Sequence, residues 1–102
     1  MVDERTSVTI DGFMWTERTF AHIAGHDVTP ADIMFVRLHA PLTFKTSPGD
    51  FRFATHALVG QDGRGRSLIV FISETTEPGI WNVHTAYQAR LAHNLLEREG
   101  RL

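Results

Sequence analysis

Five consecutive apolar residues, Leu68-Ile69-Val70-Phe71-Ile72, limit what this chain can fold into more than anything else in it. Successive side chains of a strand point to opposite faces, so a run apolar on both parities must be covered on both sides. Turn signals bracket it, Gln61-Asp62-Gly63 before and Glu77-Pro78-Gly79 after. Asp-Gly between apolar runs is a strong hairpin signal. The pattern predicts that Ser67 to Ser73 is the central, doubly covered strand of a sheet built from hairpins. Five residues are far short of the roughly 20 that cross a bilayer, so no membrane is expected as a partner.

The remaining strands follow from the same period of two. Leu42-Thr43-Phe44 is a short strand, followed by a turn at Ser47-Pro48-Gly49-Asp50. Phe51 to Val59 alternates, with Phe53, Ala57 and Val59 on one parity and Arg52, His56 and Leu58 on the other. Ile80 to His84 is the last strand. Helical spacing appears at three places. Thr16 caps a first helix running to about Gly25, with Phe20, Ile23 and Ala24 as its apolar stripe and Trp15 as a staple. Thr29, Pro30 and Asp32 open a second, with Ile33, Val36 and Phe35 facing the core. Thr85-Ala86-Tyr87-Gln88 reads as a capping box opening a third, with Leu91 and Leu95 inward and Gly100 as the stop. The expected fold is α+β: two N-terminal helices, a mostly antiparallel four-stranded sheet and a C-terminal helix. Residues 1–12 form an N-terminal tail or short strand, and 13–102 a single domain.

Composition narrows the chemistry. The 102 residues contain no cysteine, which removes disulfides, thiolate nucleophiles and cysteine-based zinc sites. Charged residues interrupt the first twenty positions, so no secretory core is present there, and the cytoplasm is the expected compartment. Ten basic against twelve acidic residues give a net charge of −2, without the basic surplus usual for nucleic-acid binding. Locally the balance reverses: Lys45, Arg52, Arg64 and Arg66 face only Asp50 and Asp62 between positions 45 and 66.

Three groups of side chains bear on function. His22 and His26 are four apart, one face of a helix, but no acidic residue at helical spacing completes a metal site. One surface and one helix-end histidine is the plainer reading, and no metal or cofactor is assigned. Arg64 and Arg66 flank Gly65 at the turn into the central strand. Arg66 shares parity with Leu68 and Val70, so its rigid fork either clamps a phosphate or ties down a packed face. His84, Thr85, Tyr87 and Arg90 meet where the last strand is expected to become a helix, whose free N–H groups would attract an anion. Capping by Thr85 and packing by Tyr87 is the simpler alternative.

The order of several short motifs is similar to the BrnT-type toxin family: Phe13-Met14-Trp15; His22-Ile23-Ala24-Gly25-His26-Asp27-Val28-Thr29-Pro30-Ala31-Asp32; Gly63-Arg64-Gly65-Arg66-Ser67-Leu68-Ile69-Val70; and Trp81-Asn82-Val83-His84-Thr85-Ala86 before a terminal helix. The resemblance runs from about residue 13 to residue 99. It implies a RelE-like fold and a toxin of a type II toxin–antitoxin pair, cleaving RNA without a metal. Under it, His26, Arg66, His84 and Tyr87 are the catalytic candidates, and Arg52, Arg64 and Arg90 bind substrate. The implied partners are RNA and a cognate antitoxin, a small DNA-binding protein, and the implied assembly is a homodimer or a heterotetramer with the antitoxin. Gly25, Asp27 and Tyr87 stand where the family usually carries a basic residue, a glycine and a basic residue. These differences suit the alternative, a catalytically degenerate RelE-like module that pairs with an antitoxin-like protein. Trp15, Met34 and Phe35 add apolar surface suited to association.

Overall fold

A computed structural model describes residues 2–47 and 53–102. The chain runs β1 (Val2–Thr6), β2 (Gly12–Met14), α1 (Glu17–Ala24), α2 (Pro30–Leu38), β3 (Leu42–Thr46), β4 (His56–Gln61), β5 (Ser67–Glu74), β6 (Ile80–Gln88) and α3 (Arg90–Arg98). It is an α+β fold, three helices on one mixed sheet of six strands ordered β1-β3-β4-β5-β6-β2. The four strands expected from the sequence are β3 to β6, each antiparallel to the next. The first fourteen residues add both edges: β1 antiparallel to β3, and β2 parallel to β6. Period two could not reveal these edges. β1 is polar and exposed through its middle, and β2 has only three residues.

β5 takes the central role its sequence demands, buried from Ser67 to Ile72. Leu68, Val70 and Ile72 join Ile23, Ile33 and Val36 of the α1 and α2 layer, while Ile69 and Phe71 join Ala92, Leu95 and Leu96 of α3 on the other face. β4 splits the same way, Leu58 to one core and Ala57 and Val59 to the other.

Both N-terminal helices start as their caps dictate. Thr16 Oγ1 accepts from the Thr19 N–H at 3.1 Å, and Trp15 stacks on Phe20 with centroids 5.7 Å apart, a staple across the helix start. The second cap is reciprocal: Asp32 N–H donates to Thr29 Oγ1, and Thr29 N–H donates to Asp32 Oδ2. Some expected inward residues turn out. Phe20 is engaged by Trp15 instead of the core, and Phe35 lies on His39, centroids 3.9 Å apart, leaving Ile33 and Val36 as the buried pair. Phe53 is likewise exposed, because β4 begins only at His56. The turn at 48–50 and the positions of Phe51 and Arg52 lie outside the described residues.

The third helix starts later than its apparent capping box. Thr85 to Gln88 belong to β6, whose pairing with β5 continues through Phe71↔Thr85, Ile69↔Tyr87 and Leu68↔Gln88. α3 opens at Arg90 behind Ala89, which makes no side-chain cap. Ladder hydrogen bonds to a fully buried strand outweigh a local cap. The register slips between Phe71 and Ile72, where β6 carries one residue more than β5. Val83 and Ala86 consequently share one core although three positions separate them. The extra residue in this bulge is His84.

Candidate functional site

β2 ends at Met14 opposite Asn82, so among the described residues the outer edge of β6 from Val83 onward has no strand beside it. α1 lies along that edge, and Thr19 Oγ1 donates to the Val83 carbonyl at 2.9 Å. Where β2 gives way to α1, a cavity of about 310 Å³ opens, bordered by Met14, Arg18, His22, Phe53, Asn82 and His84. Arg18 and His22 are one helical turn apart and present the same face of α1. Arg18 forms no ion pair among the described residues.

The bulge places His84 beside Ser73, with Nε2 2.7 Å from Ser73 Oγ. Its imidazole lies near-parallel to Phe53, 6.3 Å between centroids. Burial lowers the His84 pKa below the ordinary histidine value, which favours the neutral ring, the form that can accept a proton. When Nε2–H donates to Ser73, the Nδ1 lone pair is left to accept a proton.

Further along the seam, the His22 and His26 rings stand 5.2 Å apart, and His26 is 5.5 Å from the Tyr87 ring. Tyr87 is half-buried against Phe71, and burial raises its pKa, so the phenol keeps its proton. Three of the four catalytic candidates, His26, His84 and Tyr87, thus lie along one α1–β6 seam, linked through His22. They are not gathered at a helix N-terminus, since Thr85 points into the α3 core and α3 begins beyond them. Among the described residues no group of three histidine or acidic side chains could hold a metal ion.

The arginines sit elsewhere. Arg66 does share the Leu68 and Val70 face, but it meets carboxylates there: Nε donates to Asp62 Oδ2 at 2.7 Å, Nη2 reaches Asp32 Oδ2 at 3.3 Å, and Nη1 donates to the Asp27 carbonyl at 2.8 Å. Its side chain is 15% exposed and Asp62 is fully buried. Arg64, more open, bonds the same Asp27 carbonyl at 3.2 Å. Burial would raise the Asp62 pKa, but hydrogen bonds from the Arg66 side chain and from the N–H groups of Arg66 and Arg64 overcome it, and the net shift is downward. Of the two readings left open for Arg66, this geometry favours the structural one. Arg90 borders a separate depression with Gly65, Ser67, Gln88 and His93.

Arg18, Asn82 and Ser73 were not legible as site residues. The signal for Arg18 was its spacing of four from His22; Asn82 and Ser73 gave none, because the bulge that gathers them is a property of strand pairing. No protein-family model, curated protein or solved structure matches this chain.

Proposed function

We propose that the α1–β6 seam is a metal-independent RNA-cleaving site, and that the chain is a RelE-like toxin of the BrnT type, neutralised in the cytoplasm by a cognate antitoxin. One observation carries this reading: a desolvated, neutral histidine, His84, shares a cavity with a second histidine, His22, and an arginine with no ion pair among the described residues, Arg18. Those are the base, acid and cation that phosphodiester cleavage needs. His84 Nδ1 takes the proton from a ribose 2′-hydroxyl, and that oxygen attacks the adjacent phosphorus. The bond from phosphorus to the 5′-oxygen breaks as His22 protonates the leaving oxygen. The products are a 2′,3′-cyclic phosphate and a 5′-hydroxyl. Arg18 neutralises the charge that builds on the phosphorane, the role first assigned to Arg66. His26 and Tyr87 extend the seam and hold the neighbouring nucleotide. Within the six-stranded sheet, the run of α1, α2, the antiparallel strands β3 to β6 and α3 is compatible with a RelE-like assignment, to which β1 and β2 are additions.

A second reading, the degenerate module, draws on Arg64 and Arg66, whose charges are neutralised by Asp27, Asp32 and Asp62. Induced expression in a bacterial host separates the two. The nuclease reading expects growth arrest and fragmented RNA, both relieved by His84→Gln. Normal growth with intact RNA at high expression favours the module.

A further inference from the structure

We propose that the α1–β6 cavity receives a single unpaired nucleobase, stacked on Phe53 and read at its edge by the Asn82 amide. This deepens the RNA reading of the same seam and rests on it for the class of ligand.

Phe53 is 66% exposed and Met14 is 55% exposed, yet both border a cavity instead of a bare surface. Burying rings of this kind is worth a few kcal/mol, so two large apolar side chains left at a cavity mouth provide walls for a flat apolar guest. Phe53 already runs near-parallel to an imidazole, 25° between planes, which is the attitude of a stacking platform. Met14 opposite supplies a flexible thioether, which packs well on aromatic rings.

The polar groups decide between a base and an aliphatic side chain. The Asn82 amide makes no hydrogen bond among the described residues, although the side chain is partly buried. It offers two donors and one acceptor to the cavity, a pattern that pairs with the edge of a base and that an aliphatic guest would leave unpaired. Arg18 stands on the same wall, where a phosphate attached to that base would meet a cation. At about 310 Å³ the cavity is at the small end of ligand sites and suits one ring system. A base inside a duplex is stacked on both faces and cannot enter, so the ligand is single-stranded.

The test uses the full chain and fluorescently labelled 2′-O-methyl hexamers of adenine, cytosine or uracil, which bind but cannot be cut through the 2′-oxygen. Wild type is expected to bind the single strands in a definite order of preference and to bind a hairpin duplex more weakly. Phe53→Ala should weaken binding by about 5- to 150-fold, the span of one base–aromatic stack. Phe53→Tyr, which keeps the ring, should retain it. Asn82→Ala should flatten the order among the bases. Equal binding by Phe53→Ala, equal binding of the duplex, or an unchanged order in Asn82→Ala overturns the proposal. Because the probe is uncleavable, a protein that shows the expected binding but leaves ordinary RNA intact refutes the nuclease and leaves the base pocket standing.

Discussion

Arg66 Nε donates to Asp62 Oδ2 at 2.7 Å and closes the β4–β5 turn on itself, while Nη2 of the same guanidinium reaches Asp32 at the start of α2. Asp62 is buried and also accepts from the Arg64 and Arg66 N–H groups, so its carboxylate is the hub of the turn. Removing the guanidinium leaves that charge buried with backbone donors and the more exposed Arg64, whose Nε is 4.0 Å away. Arg66→Ala is therefore expected to cost about 3–5 kcal/mol in denaturant unfolding. Arg66→Lys should recover part of it, because one ammonium cannot reach Asp62, Asp32 and the Asp27 carbonyl together. An alanine variant as stable as wild type that had lost activity would return Arg66 to the phosphate.

Asp27 follows α1 with φ at 58°, in the left-handed region, while the Val28 and Asp27 N–H groups close the helix on Ile23 and Ala24. A non-glycine residue there costs about 1 kcal/mol. The Asp27 carboxylate is 82% exposed, and its pairs with Arg64 and Arg66 are long, 3.6 and 3.5 Å. Exposed pairs of this kind are worth about 0–1 kcal/mol. Asp27→Gly is expected to leave the midpoint unchanged or to raise it slightly, since the carbonyl that both arginines use is retained. A loss above about 1 kcal/mol would show that the carboxylate matters more than its exposure indicates.

The β5 core, the caps of α1 and α2 and the turns at 61–63 and 77–79 were legible because each depends on residues close in sequence. Phe35 and Thr85 were not. Phe35 satisfies helical spacing, yet its ring contact is His39, the capping residue just past the end of the same helix. Thr85-Ala86-Tyr87-Gln88 has the local form of a cap, but Ser67 to Phe71 offers it a ladder only tertiary pairing reveals. His84 was identified as a candidate for a different reason from the one the structure gives. It sits in a bulge next to Ser73, and no spacing in the sequence announces a bulge. Arg66 was placed on the correct face, with carboxylates from two other segments waiting there.

Thr85 Oγ1 is buried against the α3 layer and has no hydrogen-bond partner among the described residues. Thr85→Val keeps the shape and removes the stranded hydroxyl. It should stabilise the chain by about 1 kcal/mol, measured by denaturant midpoint at constant slope. Destabilisation would mean that the hydroxyl has a partner in solution.

Stability should rise with pH on the acid side. Burial lowers the pKa of His84, and also of His56, where Glu74 opposes and Lys45 adds to the effect. The unfolded chain, with histidines near 6.5, binds more protons than the native one below that pH, so stability is lost as pH falls from about 6.5 toward the folded values. Asp62, also shifted downward, adds a second loss below about pH 4, completed as pH passes its folded value. Melting temperatures should be level from pH 7 to 8 and fall in those two stages. His84→Gln should diminish the first. A melting temperature that climbs from pH 7 to 5 would contradict both assignments.

The most direct test of the seam as a ribonuclease is the fate of one single-stranded RNA and of the same strand carrying 2′-deoxyribose at every position. Purified protein, with chelator present, is expected to cut the RNA, leave 2′,3′-cyclic phosphate ends and spare the deoxy strand. His84→Gln should slow cutting by about 100-fold or more, the usual contribution of a positioned base. RNA that stays intact, or a deoxy strand cut equally fast, would contradict the account.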